Sequence, residues 1–179
     1  RAIARYGLGL VHLENLQYAQ AIEIFQTLAE QYPDQPAYLS AWARTAMESR
    51  DYDKANGLFA KASQRFPHND AITLEYTRCL LKSSQPQQAR QVLQNLSDIQ
   101  KGQAYYYELL AQIHAELKQP GESHRYMAEY YYASGQTEEA VLQIRLAKQE
   151  THLSYQLQAI LDERLNFFLA EIEEQKRER

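Results

Sequence analysis

The sequence predicts an all-α fold built from repeated helical pairs, and three observations carry that reading. Ala, Leu, Gln and Glu dominate the composition, while Val occurs only at Val11, Val92 and Val141, and there are six Gly and five Pro. Good helix formers are therefore abundant and β-formers scarce. Small and large apolar residues recur at a spacing of 34: Ala21, Ala55, Ala89 and Ser123; Phe25, Phe59, Leu93 and Met127; Leu8, Trp42, Tyr76 and Leu110; Gly9, Ala43, Thr77 and Ala111. The punctuation keeps the same step, with Pro33 and Pro67, Pro86 and Pro120, and Tyr18 and Tyr52 each one period apart.

A 34-residue period with this pattern is that of the tetratricopeptide repeat, a helix–turn–helix unit that stacks on its neighbours. The expected fold is an all-α tetratricopeptide-repeat superhelical solenoid of about ten helices with a C-terminal capping helix. Two antiparallel helices approach to about 8–10 Å, so the Gly9 and Ala21 classes must stay small. The Leu8 and Phe25 classes fill the space between helices. Pro33 and Pro67 stop the second helix of their repeats, because proline cannot extend a helix interior.

Taken in order, the repeats fall at about 2–35, 36–69, 70–103 and 104–135. Repeat one pairs a helix at 2–14 with one at 18–31. Repeat two pairs 36–49 with 52–65, repeat three 70–82 with 86–97, and repeat four 103–117 with 121–134. Lys101 and Gly102 stand where the proline after repeat three is expected, a softer junction. The register then shifts by half a period. Ala128, Gly135, Ala140, Ile144 and Ala147 fit a repeat at 121–153 in which the helix at 121–134 serves as the first helix and one at 137–149 as the second.

These repeats make residues 1–153 one array, with residues 154–179 as its cap. In the cap, Tyr155, Leu157, Ile160, Leu161, Leu165, Phe168, Leu169 and Ile172 form an apolar stripe at helical spacing, followed by a mixed-charge tail. A terminal helix with a polar outer face caps a solenoid. The alternative for this stripe is a coiled-coil partner helix.

Charge and motifs exclude several classes of function. The net charge is −4, against the basic face of a nucleic-acid binder, and no stretch approaches the roughly 18 apolar residues of a membrane span. The chain begins at Arg1, which reads as the start of a fragment of a longer protein. No HExxH or GxSxG occurs, and His12, His68, His114, His124 and His152 are scattered. Gly7-Leu8-Gly9 lies inside a helix without a third glycine and is no phosphate loop. Cys79, the single cysteine, reads as a small core residue. No residue is assigned to catalysis, to a metal or to a cofactor, so the chain is not expected to be an enzyme by itself.

Binding is expected in the groove lined by the first helices. The residues placed there are Tyr6, Leu10, Arg44, Arg78, Lys82, Tyr105, Glu108 and Gln112. Arg44 and Arg78 occupy equivalent positions and would stack as a basic ladder, with Lys82 one turn on. The alternative is that they pair with nearby acids. Arginine donates to carboxylates and carbonyls, and tyrosine offers amphipathic area, so the groove suits an extended or partly folded polypeptide. Lys and Asn of the chaperone-binding carboxylate clamp are replaced by Tyr6, Leu10, Ala41, Ala71 and Glu75. In Tyr105-Tyr106-Tyr107 and Tyr130-Tyr131-Tyr132, Tyr131 is expected in the core, with Tyr105 and Tyr130 or Tyr132 available to a ligand.

The segments Glu122-Ser123-His124, Ala128 to Tyr132, Gly135 to Ala140, Gln143 to Ala147 and Leu161 to Leu165 together resemble the C-terminal repeat domain of the periplasmic β-barrel assembly-enhancing protease of Gram-negative bacteria. The resemblance implies a periplasmic parent with an N-terminal HExxH zinc metalloprotease domain, so zinc belongs upstream of this chain. It implies as partners that protease domain, the β-barrel assembly machinery and outer-membrane barrel proteins. The alternative is a free-standing tetratricopeptide adaptor or lipoprotein of an envelope assembly complex.

Overall fold

The structure, a computed structural model, describes residues 1–178; Arg179, the last residue of the expected cap, lies outside them. Among the described residues there are ten α-helices and no strand: α1 (Ala2–Glu14), α2 (Tyr18–Gln31), α3 (Pro36–Glu48), α4 (Tyr52–Arg65), α5 (Asp70–Lys82), α6 (Pro86–Leu93), α7 (Ala104–Glu116), α8 (Pro120–Ala133), α9 (Thr137–Gln149) and α10 (Tyr155–Arg177). This is the all-α repeat architecture the period requires. It falls into two compact units, Arg1–Leu96 and Ser97–Arg179.

Local chemistry sets the helix ends. Pro36, Pro86 and Pro120 open α3, α6 and α8, where the missing N–H costs nothing. Asn69 and Ser154 cap α5 and α10, accepting from the N–H groups of Ile72 and Leu157 at 3.1 Å each. The turns within the four pairs α1–α2, α3–α4, α5–α6 and α7–α8 close alike. Leu16, Arg50, Ser84 and Lys118 take positive φ between 57° and 65°. The next N–H reaches back over the turn, as from Gln17 to the His12 carbonyl at 2.8 Å and from Asp51 to that of Ala46 at 2.9 Å. The α8–α9 turn closes in the same way, with Gly135 at φ 77° and Gln136 donating to the Tyr131 carbonyl at 2.8 Å. His12 and His114 strengthen their turns, each Nδ1 lying 2.6 Å from the Oε1 of Gln17 or Gln119.

In the first unit the small-residue rule has a direct steric basis. A Cβ on Gly9 would stand 2.6 Å from Cε1 of Phe25, which is fully buried and cannot yield. Ala21, Phe25 and Ala41 form one core cluster, flanked by Tyr6, Leu10, Leu13 and Trp42. Leu39, Ala62 and Ile72 form the next, flanked by Ala29, Leu58 and Phe66. Cys79 is fully buried here, and burial pushes its thiol up to about 11. Thr45 and Thr77 are buried with their hydroxyls donating to the carbonyls of Ala41 and Thr73 at 2.8 Å. Leu8 departs from its class. Tyr76 is 5% exposed, whereas Leu8 is 50% exposed, because among the described residues no second helix precedes α1. The helix expected at 86–97 ends at Leu93, and Asn95 and Leu96 continue as tight turns bonded to Val92 and Leu93. Asn95, Ser97 and Asp98 favour such turns over a helix interior.

In the second unit α9 packs between α8 and α10. Ala128, Ala140, Ile144, Ala147, Leu161 and Phe168 are fully buried, with Tyr131, Tyr132, Leu153, Leu165 and Ile172 packed against them. Leu157, Leu161, Leu165, Phe168 and Ile172 of the α10 stripe are thus spent on this core, whereas Tyr155 and Leu169 are exposed.

Candidate functional site

The first unit brings α1, α3 and α5 together as first helices, and the predicted groove residues there are Tyr6, Leu10, Arg44, Arg78 and Lys82. Tyr6 and Leu10 are half-buried against the Phe25 cluster. The Tyr6 ring lies 5.6 Å from that of Phe25 and 5.4 Å from that of Tyr38, and Tyr32 continues the chain at 5.9 Å from Tyr38. In this aromatic run Tyr6 and Tyr38 are half-buried and Tyr32 is exposed, and tyrosine rings give amphipathic contact area. Met47, three residues on from Arg44 on α3, is 6% exposed and belongs to the core.

The basic ladder is interrupted by carboxylates. Arg44 Nε stands 2.9 Å from Glu75 Oε1, and Lys82 Nζ stands 3.4 Å from Glu48 Oε1. Both pairs bridge α3 and α5. The Arg44 contact is a charge contact rather than an aligned hydrogen bond, since the buried Nε lacks a partner of good angle. Burial raises the Glu75 pKa above the ordinary carboxylate value, and the attraction of Arg44 and Arg78 offsets this only in part. Arg78, one turn on from Glu75, is exposed and makes no ion pair among those described. Its attraction to Glu75 acts without a direct contact, so its guanidinium stays open to solvent.

Sequence reasoning placed the cations and held their pairing with nearby acids as the alternative, without naming Glu75 and Glu48 as the partners. Glu75 entered only as a mismatch to the carboxylate clamp. A signal was available: Glu48 and Lys82 are one period apart, and Arg44 and Glu75 one helical turn less, so each places opposite charges side by side on adjacent first helices.

In the second unit Tyr105, Glu108 and Gln112 lie on α7, spaced to share a face. The Tyr105 hydroxyl donates to Gln100, so it is tied to the loop that precedes α7. Glu108 is half-buried and Gln112 exposed. Tyr132, a candidate for ligand contact, packs instead against the core, its ring 5.1 Å from Phe168 and its hydroxyl 3.3 Å from Glu171. A two-bond ion pair in this unit was not foreseen. Arg164 on α10 grips Glu129 on α8 with two bonds, of 2.6 and 2.8 Å. Its guanidinium centre lies 4.6 Å from the centres of both the Phe167 and Phe168 rings. A bidentate pair backed by aromatic rings is strong and directional, and here it fixes α8 to α10.

Among the described residues no group of three or more His, Cys, Asp or Glu side chains could hold a metal ion, and no helix is long and apolar enough to cross a membrane. To a binding partner these faces offer aromatic rings, an exposed guanidinium at Arg78 and paired charges.

Comparison with known proteins agrees with this architecture. Residues 46–113 and residues 4–34 match two family models, each described as a tetratricopeptide repeat. Among solved structures, MamA 41-end from Desulfovibrio magneticus RS-1 is similar at 16% identity over 83% of this chain and 93% of that chain, with a TM-score of 0.61. PilF of Pseudomonas aeruginosa is similar at 16% identity over 97% and 90%, with a TM-score of 0.64. A thermophilic tetratricopeptide-repeat protein of Thermus thermophilus is similar at 17% identity over 92% and 99%, with a TM-score of 0.57. At such identities the likeness is one of fold alone; the matched tetratricopeptide repeats suggest a scaffold for protein–protein interaction. With the 34-residue period, the matching family models and the stacked helical pairs in agreement, this chain is a tetratricopeptide-repeat protein.

Proposed function

We propose that this chain is the recognition module of a periplasmic metalloprotease, holding outer-membrane β-barrel proteins and contacting the barrel assembly machinery. The observation that carries the binding part is Arg78, exposed and without an ion pair among those described, beside the Arg44–Glu75 and Lys82–Glu48 pairs. An open guanidinium offers five donors to a carboxylate or to backbone carbonyls, while the Tyr6–Tyr38 wall supplies amphipathic area. The identity of the parent is supported by the resemblance carried at residues 122–147 and 161–165. Its zinc would be held by the protease domain and not by this chain.

In the full-length parent, Arg44→Glu with Arg78→Glu is expected to lower recovery of assembly-machine subunits at least fivefold with helicity unchanged. Arg78→Glu alone is expected to produce most of that loss, since Arg44 is already engaged by Glu75. Unchanged recovery with the double variant would remove the guanidinium from the binding face.

A further inference from the structure

We propose that a recess between α2, α3 and α4 is an anchor pocket for an acidic peptide segment of a partner protein, which inserts one leucine-sized side chain and lays a neighbouring carboxylate on the α4 rim. The recess has a volume of about 250 Å³. Its lining is apolar at Ala29 of α2, at Pro33 just beyond that helix, and at Leu39 and Trp42 of α3. Its rim is charged, with Lys61 and Arg65 on the α4 side and Glu30 on the α2 side. A cavity below the roughly 300–1,000 Å³ of a small-molecule site takes one side chain rather than a cofactor.

The Trp42 indole shows what the recess lacks. Its Nε1 is buried and donates to nothing among the described residues. The repeat satisfies the same position differently. One period on, Tyr76 stands for Trp42 and Gln88 for Lys54, and the Gln88 amide donates to the Tyr76 hydroxyl at 3.1 Å. Lys54 Nζ instead stands 5.6 Å from the centre of the Trp42 ring. A lysine only donates, so it can lie over the indole but cannot accept from it. A buried donor left unpaired is costly, and the backbone carbonyl beside an inserted side chain supplies the acceptor. Lys54 is exposed, so its side chain can move off the indole as a ligand enters.

The rim charge is the independent sign. Lys61 is exposed and makes no ion pair among those described. Arg65 meets Asp34 at 3.0 Å, but that carboxylate is 91% exposed, and such a pair holds weakly. Glu30 already accepts from Gln26 at 2.9 Å. The rim therefore attracts a carboxylate. An apolar side chain, an acceptor carbonyl and a carboxylate within two residues of one another are what an acidic peptide offers. The recess uses none of Tyr6, Leu10, Arg44, Arg78 and Lys82, so it is a second contact surface apart from the first-helix groove.

Trp42 is the single tryptophan of the sequence, so its fluorescence reads this pocket directly. The test titrates the whole chain with the blocked peptide acetyl-Gly-Leu-Asp-Gly-amide. The expected result is a saturable change in Trp42 emission, with affinity at least fivefold weaker when asparagine replaces the aspartate or alanine the leucine of the peptide. Lys61→Glu with Arg65→Glu is expected to weaken binding at least tenfold with helicity retained. Ala29→Leu, which fills the recess, is expected to abolish it, and Arg78→Glu to leave it unchanged. No saturable change, equal binding of the three peptides, or binding that survives the Lys61 and Arg65 changes would overturn the proposal. Loss of binding with Arg78→Glu would assign the peptide to the groove and overturn it equally. The groove reading is untouched by failure here, because it is read on other residues and other partners.

Discussion

Arg44 Nε and Glu75 Oε1 stand 2.9 Å apart across α3 and α5, yet the Glu75 carboxyl still titrates above its ordinary value. Burial outweighs the attraction of two arginines. The pair therefore adds little net stability, and its partners are unequal: Arg44 keeps 39% of its side chain in solvent and Glu75 only 22%. Removing the arginine strands a partly buried charge, whereas removing the acid frees a guanidinium that water can reach. Arg44→Met is expected to destabilise the chain by about 1 kcal/mol and Glu75→Gln to be neutral or stabilising. Urea unfolding at neutral pH measures both.

The same residue sets a pH dependence. A folded pKa raised above the ordinary 4.5 means the folded chain holds the Glu75 proton more tightly than the unfolded chain does. Its contribution to stability is full below that value and is lost as pH rises through the raised one. Glu75→Gln removes this term. The stability difference between variant and parent chain is expected to shift in favour of the variant as pH rises above the ordinary 4.5 and through the raised value, as read by denaturant midpoints.

Gly7 and Gly9 are two residues apart and are expected to respond oppositely. Gly9→Ala drives a Cβ into the buried Phe25 ring and is expected to cost about 1–3 kcal/mol. Gly7→Ala enters open space and is expected to stabilise the isolated chain by about 1 kcal/mol. Thermal melts of the two variants decide this.

Arg164 holds α10 to α8 through Glu129, whose side chain is 14% exposed. Arg164→Met leaves that carboxylate without its partner and is expected to destabilise the chain by about 2 kcal/mol. The double change with Glu129→Gln is expected to recover part of the loss, and a double-mutant cycle measures the coupling.

Cys79 is fully buried, with its thiol pushed up to about 11. Since the thiolate is the reactive form, alkylation by iodoacetamide at about pH 8 is expected only upon unfolding. Fast labelling of the native chain would contradict the packing of α5.

The fold was legible because the repeat is written in side-chain size. Small residues at Gly9, Ala21 and their equivalents, and rings at Phe25 and Phe59, recur wherever helices cross, so period alone places the pairs. The polar face was less legible. Whether Arg44 meets Glu75 or a ligand depends on how one first helix is rotated against the next, and that rotation comes from packing rather than from spacing. Tyr132 was misread for a similar reason: three adjacent tyrosines on a helix point in different directions, and only the position of α10 decides which of them is covered. Leu8 was assigned to the space between helices, and its exposure follows from the lack of a covering helix among the described residues.

The central claim, that the first-helix face holds protein partners through Arg78 and its aromatic wall, is tested most directly by site-specific photocrosslinking in the full-length parent with probes at Tyr6, Arg44, Arg78 and Tyr105. The predicted result is adducts from Tyr6 and Arg78 to assembly-machine subunits or unfolded barrel proteins, with weaker ones from Arg44, which Glu75 occupies, and Tyr105, which Gln100 holds. Adducts only to the parent's own protease domain, or strong ones from Arg44 and none from Arg78, would contradict the account.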